Sequence, residues 1–420
     1  YVVFLDSDTK LWLGEDDDFT PDQDLFYACP VERVYIGRNL AWNGGWYHDA
    51  PFDTHSSIRE IDFGPRVTVV GNVDEPNCHN SELFNECEKV ESYAFLGDEK
   101  SLGSSIKFHC AEGMSHASTA YISRDLEPSN YTEYTTLASG YAISDKTEHA
   151  TYGPFATYVT PKMYSGSDVL DNSYLSEVDL TNATRLTTIG ERAFADCDQM
   201  RKIDMFNTNV KNIDKEAFYD CDNLHNVTFS TTLENVGESA FNGSAIAATT
   251  LPGTLQKLGY KAFYDCDYMT SLTINPGKDD IICEDSDGEC RTFDSCSELT
   301  RLYLGKNMIY KEGSEKASPF YDSYFQQVVI DNEVTQLGQY MFQHSNRLKS
   351  MSIGSGIKEI PNNCFNETDE VTQFNIVDCE EPITLGNSCR SFKANTMYVG
   401  RNINDPDNIP SGGNALQFLQ

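Results

Sequence analysis

The chain is poor in basic residues. Lys and Arg total 31 against 65 Asp and Glu, which leaves 420 residues with a formal net charge of −34 and a sequence pI near 4.4. Such a field repels nucleic acid and anionic lipid surfaces, and no stripe of Lys or Arg offsets it, so neither partner is expected. No apolar run approaches the roughly 18–20 residues that a membrane span needs. Tryptophan is scarce, with 3 residues (Trp12, Trp42, Trp46), all close to the N-terminus. There is no CxxC pair, and the 8 His stand singly, away from Cys at zinc-ligand spacing. A nucleophile elbow, a P-loop, HExxH and GxGxxG are all missing. Carboxylate pairs are too abundant here for counting to single out one of the glycosidase kind. No catalytic residue, resident metal or cofactor is therefore expected. The opening Tyr1-Val2-Val3-Phe4-Leu5-Asp6 has neither Met, a basic start nor a cleavage site, which reads as a mature or trimmed product whose targeting or anchoring segment is gone.

What the chain does have is one pattern written many times. Ile189-Gly190, Ala193-Phe194, Cys197, Met200, Ile203 and Met205 are followed by Ile213, Ala217-Phe218, Cys221, Leu224, Val227 and Phe229 at matching offsets. The Phe anchors continue through Phe241, Phe263, Phe293, Phe320, Phe342 and Phe365, with gaps of 24, 23, 22, 30, 27, 22 and 23 from Phe194 onward. Periods of about 20–29 belong to leucine-rich solenoids, in which one turn of chain cannot bury its apolar side alone but stacked turns can. Tripeptides such as Ile203-Asp204-Met205, Leu272-Thr273-Ile274 and Leu302-Tyr303-Leu304 alternate with period two. They predict one short parallel strand per turn, outer residues inward and the middle one solvated. The Ala-Phe segment before each strand predicts a short helical or 3-10 turn. The expected fold is thus an α/β repeat solenoid, extended and curved, with units of about 23 residues.

The same reading divides the chain into an N-terminal repeat block with insertions (1–109), a Tyr- and Thr-rich insertion or junction (110–168), the main array (169–400) and a loop-like tail (401–420). Of 13 cysteines, Cys29, Cys87, Cys197, Cys221, Cys266 and Cys296 each follow a Phe by three residues. Equivalent sites in a solenoid stack, so these are expected as buried thiols acting as small hydrophobes rather than as bridges. Cys283 and Cys290 lie out of register, and a local bridge between them is open.

These units resemble the BspA-type leucine-rich repeat of surface and secreted bacterial proteins, whose pattern is similar to Leu-x-x-Ile-Gly-x-x-Ala-Phe-x-x-Cys-x-x-Leu-x-x-Leu-x-Ile. Ile189 to Met205, Leu258 to Ile274 and, with Ser345 in the Cys place, Leu337 to Ile353 carry the resemblance. It implies a non-enzymatic, extracellular or outer-surface protein that recognises host proteins, matrix or other cells. A fold leaves function open, so two alternatives stand: a glycan-capturing surface protein using 110–162 as its ligand module, and a structural scaffold.

For recognition, the concave sheet face is the expected site. Its outward residues are Lys202, Asp204, Asn226, Thr228, Thr273, Arg301, Tyr303, Gln327, Ser352 and Asn375, a polar column of low charge. Arg301 and Tyr303 are the expected anchors, because Arg and Tyr are enriched in hot spots. A bare solvated face is the alternative. Trp42 and Trp46 would stack a sugar or, more simply, pack an edge. The acidic stretches 15–24 and 279–289 are oxygen-rich enough for Ca²⁺ but lack EF-hand spacing, and solvated loops are the expected outcome.

Overall fold

The computed structural model describes residues 1–13, 26, 29–42, 51–52, 56–74, 83–84, 87–108, 117–127, 146–159, 174–311, 313–321, 323–365, 368, 370–386 and 394–404. It divides into two units, Tyr1–Val210 and Lys211–Gln420.

In the first unit, the strands Val2–Phe4, Arg33–Ile36, Glu60–Phe63, Ser92–Phe95, Thr119–Ile122, His149–Tyr152 and Glu177–Asp179 form one parallel sheet in chain order. Register follows the period-two pattern. Val34, Ile61, Tyr93, Ala120 and Ala150 sit in one line across the sheet and are buried. A one-residue slip would turn every apolar side chain outward, so burial fixes the pairing. Two of these strands, Thr119–Ile122 and His149–Tyr152, lie in the Tyr- and Thr-rich segment and pair in register with each other. In the second unit, Ala248–Leu251, Ser271–Ile274, Arg301–Leu304, Gln327–Ile330, Ser350–Ile353, Gln373–Ile376 and Thr396–Val399 repeat the arrangement. Leu272, Leu302, Val328, Met351 and Phe374 form its inward line.

Each turn of chain also has a second wall. The short strands Asn212–Ile213, Asn235–Val236, Lys257–Leu258, Ile281–Cys283 and Met308–Ile309 pair in parallel succession. The third wall is the Ala-Phe segment. Here the structure corrects the expected helical turn: among the described residues the only helix is the 3-10 turn Glu315–Ala317. The described residues form a parallel β-solenoid with almost no helix.

Backbone geometry supplies the reason. The residues two before and two after the Phe anchor adopt left-handed conformations: Arg192 and Asp196 around Phe194, Glu216 and Asp220 around Phe218, Lys261 and Asp265 around Phe263, Arg291 and Ser295 around Phe293. A left-handed residue every four positions breaks the right-handed run that a helix requires. It also aims alternate N–H groups at the next turn of chain. Glu216, Phe218 and Asp220 donate to the carbonyls of Glu238, Ala240 and Asn242 at 2.9, 2.7 and 2.8 Å. This wall is therefore held by a ladder between turns, and the chain's backbone groups are satisfied without a helix.

The interior is a file of rings. From Phe218 through Phe241, Phe263, Phe293, Phe320 and Phe342 to Phe365, successive centroids lie 4.9–5.8 Å apart with planes within 22° of parallel. In the first unit Phe26, Phe52 and Phe84 stack at 5.0 and 5.2 Å. Offset stacking adds about 0.5–1.5 kcal/mol per pair beyond the area buried.

Three of the buried long cations each reach back two turns of chain. Lys306 donates to the carbonyls of Gly253 and Leu255, Arg124 to those of Pro65 and Val67, and Arg401 to those of Gly354 and Ser355. Burial pushes the Lys306 ammonium below its ordinary value, with Asp279 and Asp280 opposing. Gly305, just before Lys306, is where the turns touch: a Cβ there would lie 2.4 Å from the Ile274 carbonyl oxygen.

Candidate recognition face

The side chains that alternate outward from the main sheet of the second unit form two parallel columns. One runs Ala248, Ser271, Arg301, Gln327, Ser350, Gln373, Thr396, and the other Thr250, Thr273, Tyr303, Val329, Ser352, Asn375, Tyr398. The expected residues Thr273, Arg301, Tyr303, Gln327, Ser352 and Asn375 therefore share one face. Asn226 and Thr228 are exposed on the strand Asn226–Thr228, in the preceding turn, where the Ala247 N–H donates to the His225 carbonyl at 3.1 Å. Lys202 and Asp204 are exposed in the first unit, on Lys202–Asp204, and Asp204 accepts the Phe206 N–H at 2.9 Å.

Arg301 is the only charged residue in the two columns and, among the described residues, has no carboxylate partner. Its counterpart in the first unit, Arg33, is held by Glu60 at 2.5 Å. That first-unit face carries more charge, with Glu60, Asp62, Glu177 and Asp179 pointing outward among Ser92, Ala94, Thr119, Tyr121 and Thr151, and His149 lies 3.3 Å from Glu177. Tyr303, beside Arg301, is half-buried, and its hydroxyl donates to Asp331. That hydrogen bond, with some burial, pushes the phenol up to about 12. The side chain is thus tethered by its hydroxyl, which is engaged rather than free. The same device recurs at Tyr35 on Asp6, 2.9 Å, and at Tyr398 on Asp378, 2.7 Å. Tyr398 belongs to the face and was not expected there. The alternation of Met397-Tyr398-Val399 is the signal, since it continues the register of Phe374-Asn375-Ile376.

Other sequence-based sites fare differently. Trp42 is buried, its carbonyl accepting Asn72 Nδ2 at 2.6 Å, which is the packing role; Trp46 lies outside the described residues. The acidic stretch 15–24 also lies outside them. The carboxylates of 279–289 are spread over separate partners: Lys257 holds Glu284 at 2.6 Å, Asn307 donates to Asp280 at 2.9 Å, and Lys316 approaches Glu289 at 3.4 Å. Among the described residues no group of three or more His, Cys, Asp or Glu could hold a metal ion.

The cysteine row is buried, as expected, at Cys87, Cys197, Cys221, Cys266 and Cys296. Cys29 is exposed, a correction to its expected burial. Nor are the buried thiols merely small hydrophobes. Cys266 and Cys296 donate to the Phe241 and Phe263 carbonyls of the preceding turn, each at 3.1 Å, and Cys87 does the same to Phe52. Ser244 replaces the thiol on Phe218 at 2.6 Å and Thr368 on Phe342 at 3.2 Å. What the position demands is a short donor, which explains why Cys, Ser and Thr interchange there. Cys283 and Cys290 are free thiols, both buried.

No helix among the described residues is long and apolar enough to cross a membrane. No curated protein matches the chain in sequence. Among solved structures, a leucine-rich repeat protein of Bacteroides ovatus shares 16% identity over 91% of this chain and 85% of its own, with a TM-score of 0.45. A leucine rich cell surface protein of Faecalibacterium prausnitzii shares 17% over 70% of this chain and 84% of its own, TM-score 0.27. The BspA type leucine rich repeat region matches in 6 copies over residues 165–282 and 289–395, more than half of the sequence. With its stacked Phe file and its Cys, Ser or Thr donor row, this chain belongs to the BspA-type leucine-rich repeat family.

Proposed function

We propose that the protein is a recognition protein of the cell exterior, and that the outward face of the second unit's main sheet binds a protein partner, such as a host, matrix or other cell-surface protein. The observation that carries this is the charge of that face. In a chain of net −34, two in-register columns spanning seven strands hold one charged side chain, Arg301. Interface centres are depleted in charge and enriched in Tyr and Arg, and hydroxyl and amide side chains supply hydrogen bonds without the desolvation cost of ions. Arg301, without a carboxylate partner among the described residues, offers five donors in a planar fork to a partner carboxylate or carbonyl. Pinned Tyr303 loses little conformational freedom on binding, which favours affinity.

The test is binding of the purified chain to immobilised matrix and serum proteins, in parallel with a glycan array, for the wild type and for Arg301→Ala/Tyr303→Ala. A protein ligand whose affinity falls at least about tenfold in the double variant, equivalent to about 1.4 kcal/mol, supports the reading. Unchanged affinity places the contact elsewhere, and binding to glycans alone assigns a different ligand class.

A further inference from the structure

We infer that Cys283 and Cys290 are a redox pair that closes to an intrachain disulfide when the protein meets an oxidising thiol–disulfide environment. The two residues bracket an excursion from the repeat, and the structure folds that excursion into a tight turn. Ser286 and Glu289 exchange both backbone hydrogen bonds at 3.0 Å, Asp287 and Gly288 are left-handed, and Asp285 accepts the Gly288 N–H at 2.9 Å. The turn brings its ends together. Cys283 occupies an inward position of the second wall, paired with Leu258, and Cys290 lies three residues before Phe293. In other turns that last position holds Glu191, Lys215 or Glu238, all exposed, whereas Cys290 is fully buried beneath the excursion. The two buried thiols are close enough to influence each other's ionisation, and Cys290 Sγ also lies 2.9 Å from the Thr292 hydroxyl. Cys283 and the Thr292 hydroxyl and N–H hold Cys290 below an ordinary thiol against its burial, while Cys290 and burial raise Cys283, which makes Cys290 the first nucleophile.

Cys266 and Cys296 are also neighbours, in equivalent places of successive turns, but on a regular wall where each is engaged with a Phe carbonyl. Over Cys283 and Cys290 the cover is Glu284 to Glu289, with Asp285, Ser286 and Asp287 exposed. Few apolar contacts hold such a segment, so it opens locally at low cost. With oxidised glutathione as oxidant, the Cys290 thiolate attacks its disulfide and expels one glutathione thiolate. Cys283, losing its proton, then attacks the Cys290 sulfur of the mixed disulfide and expels the second. Two protein thiols are oxidised, one glutathione disulfide is reduced to two thiols, and the two protons pass to those thiolates.

The full chain, purified reduced and equilibrated in a glutathione redox buffer, would be quenched with acid, alkylated under denaturing conditions and mapped by peptide mass. The expected product is a Cys283–Cys290 linkage, with Cys266 and Cys296 recovered as alkylated thiols. In Cys283→Ser, Cys290 is expected to retain glutathione as a mixed disulfide. Recovery of both Cys283 and Cys290 as thiols in the wild type overturns the inference. So does glutathione retained on the wild-type pair without a link, a Cys266–Cys296 link in its place, or an unmodified Cys290 in the variant.

Discussion

At the scale of single residues, the interior rests on two rows that a turn of chain contributes one member to. Each ring in the Phe file has a partner above and below, so its removal empties a site that both neighbours line. Phe241→Ala is expected to cost about 3–5 kcal/mol, measured as a shift in the denaturant midpoint. An unchanged midpoint would show the file to be incidental to stability. The donor row makes a sharper chemical prediction. Cys266→Ser keeps a donor for the Phe241 carbonyl and is expected to stay within about 1 kcal/mol of the wild type, whereas Cys266→Val keeps bulk, removes the donor and costs about 1–3 kcal/mol. If the valine variant proves the more stable, the row is apolar packing after all. The position of each Phe and Cys was legible from spacing alone. The donor role was not, because a carbonyl of the preceding turn is invisible until the turns are stacked, although Ser244 in the same register was a hint.

At the scale of elements, the strands were readable and the third wall was not. Period-two alternation in Leu302-Tyr303-Leu304 admits only an extended strand with one buried side, and the structure places Leu302 and Leu304 inward. The Ala-Phe segment, with its Gly, Glu and Lys, is locally compatible with a helical turn. Stacking overrides that propensity, since left-handed residues let alternate N–H groups reach the next turn of chain, and a helix would direct them back into itself. Apart from Gly243 after Phe241, the described left-handed positions beside the Phe anchors hold Arg, Asp, Glu, Ser, Lys, Tyr, His and Asn, so glycine punctuation does not mark them in the sequence. Ser295, at φ 63°, is a direct test. Ser295→Gly is expected to be neutral or mildly stabilising, and Ser295→Val to cost about 1–3 kcal/mol, because a β-branched residue is strained there. Equal melting temperatures for the two would remove the left-handed wall from the account.

At the scale of the whole molecule, charge and titration decide the response to solvent. Ion pairs such as Lys211–Glu234, Lys215–Glu238 and Lys358–Glu381 tie successive turns at 2.9, 3.0 and 2.7 Å. Exposed pairs of this kind contribute about 0–1 kcal/mol each, too little to offset the self-repulsion of 34 excess negative charges. Raising salt from about 0.02 to about 0.5 M, which shortens the screening length severalfold, is therefore expected to raise the melting temperature. A fall would mean that the pairs outweigh the repulsion. On the alkaline side, Tyr35, Tyr158 and Tyr303 are each pushed up to about 12 from an ordinary 10.0, Tyr35 and Tyr158 chiefly by burial and Tyr303 chiefly by its Asp331 hydrogen bond. An acid with a raised folded pKa gives stability that is complete below its unfolded value and lost as pH climbs toward the folded one. Denaturation midpoints are thus expected to fall between about pH 10 and 12, and Tyr303→Phe to shallow that fall. An identical slope in the variant would remove Tyr303 from the titration.

The sequence by itself determined the repeat, the inward rows and the family, because burial of one side of each turn is a constraint written in every unit; the expected 23-residue unit was too short for the first unit, where Val34, Ile61, Tyr93, Ala120 and Ala150 align across longer turns. It also named most residues of the candidate face, since whatever alternates with a buried residue must point outward. Only the tertiary structure decided that the described turns carry almost no helix, that Cys87, Ser244, Cys266, Cys296 and Thr368 cap a neighbouring turn's carbonyl, and that Arg301 has no carboxylate partner among the described residues while Tyr303 is tied to Asp331. Those outcomes depend on which groups stacking brings together across some twenty to thirty residues of chain. Spacing along a single turn carries no record of such partners.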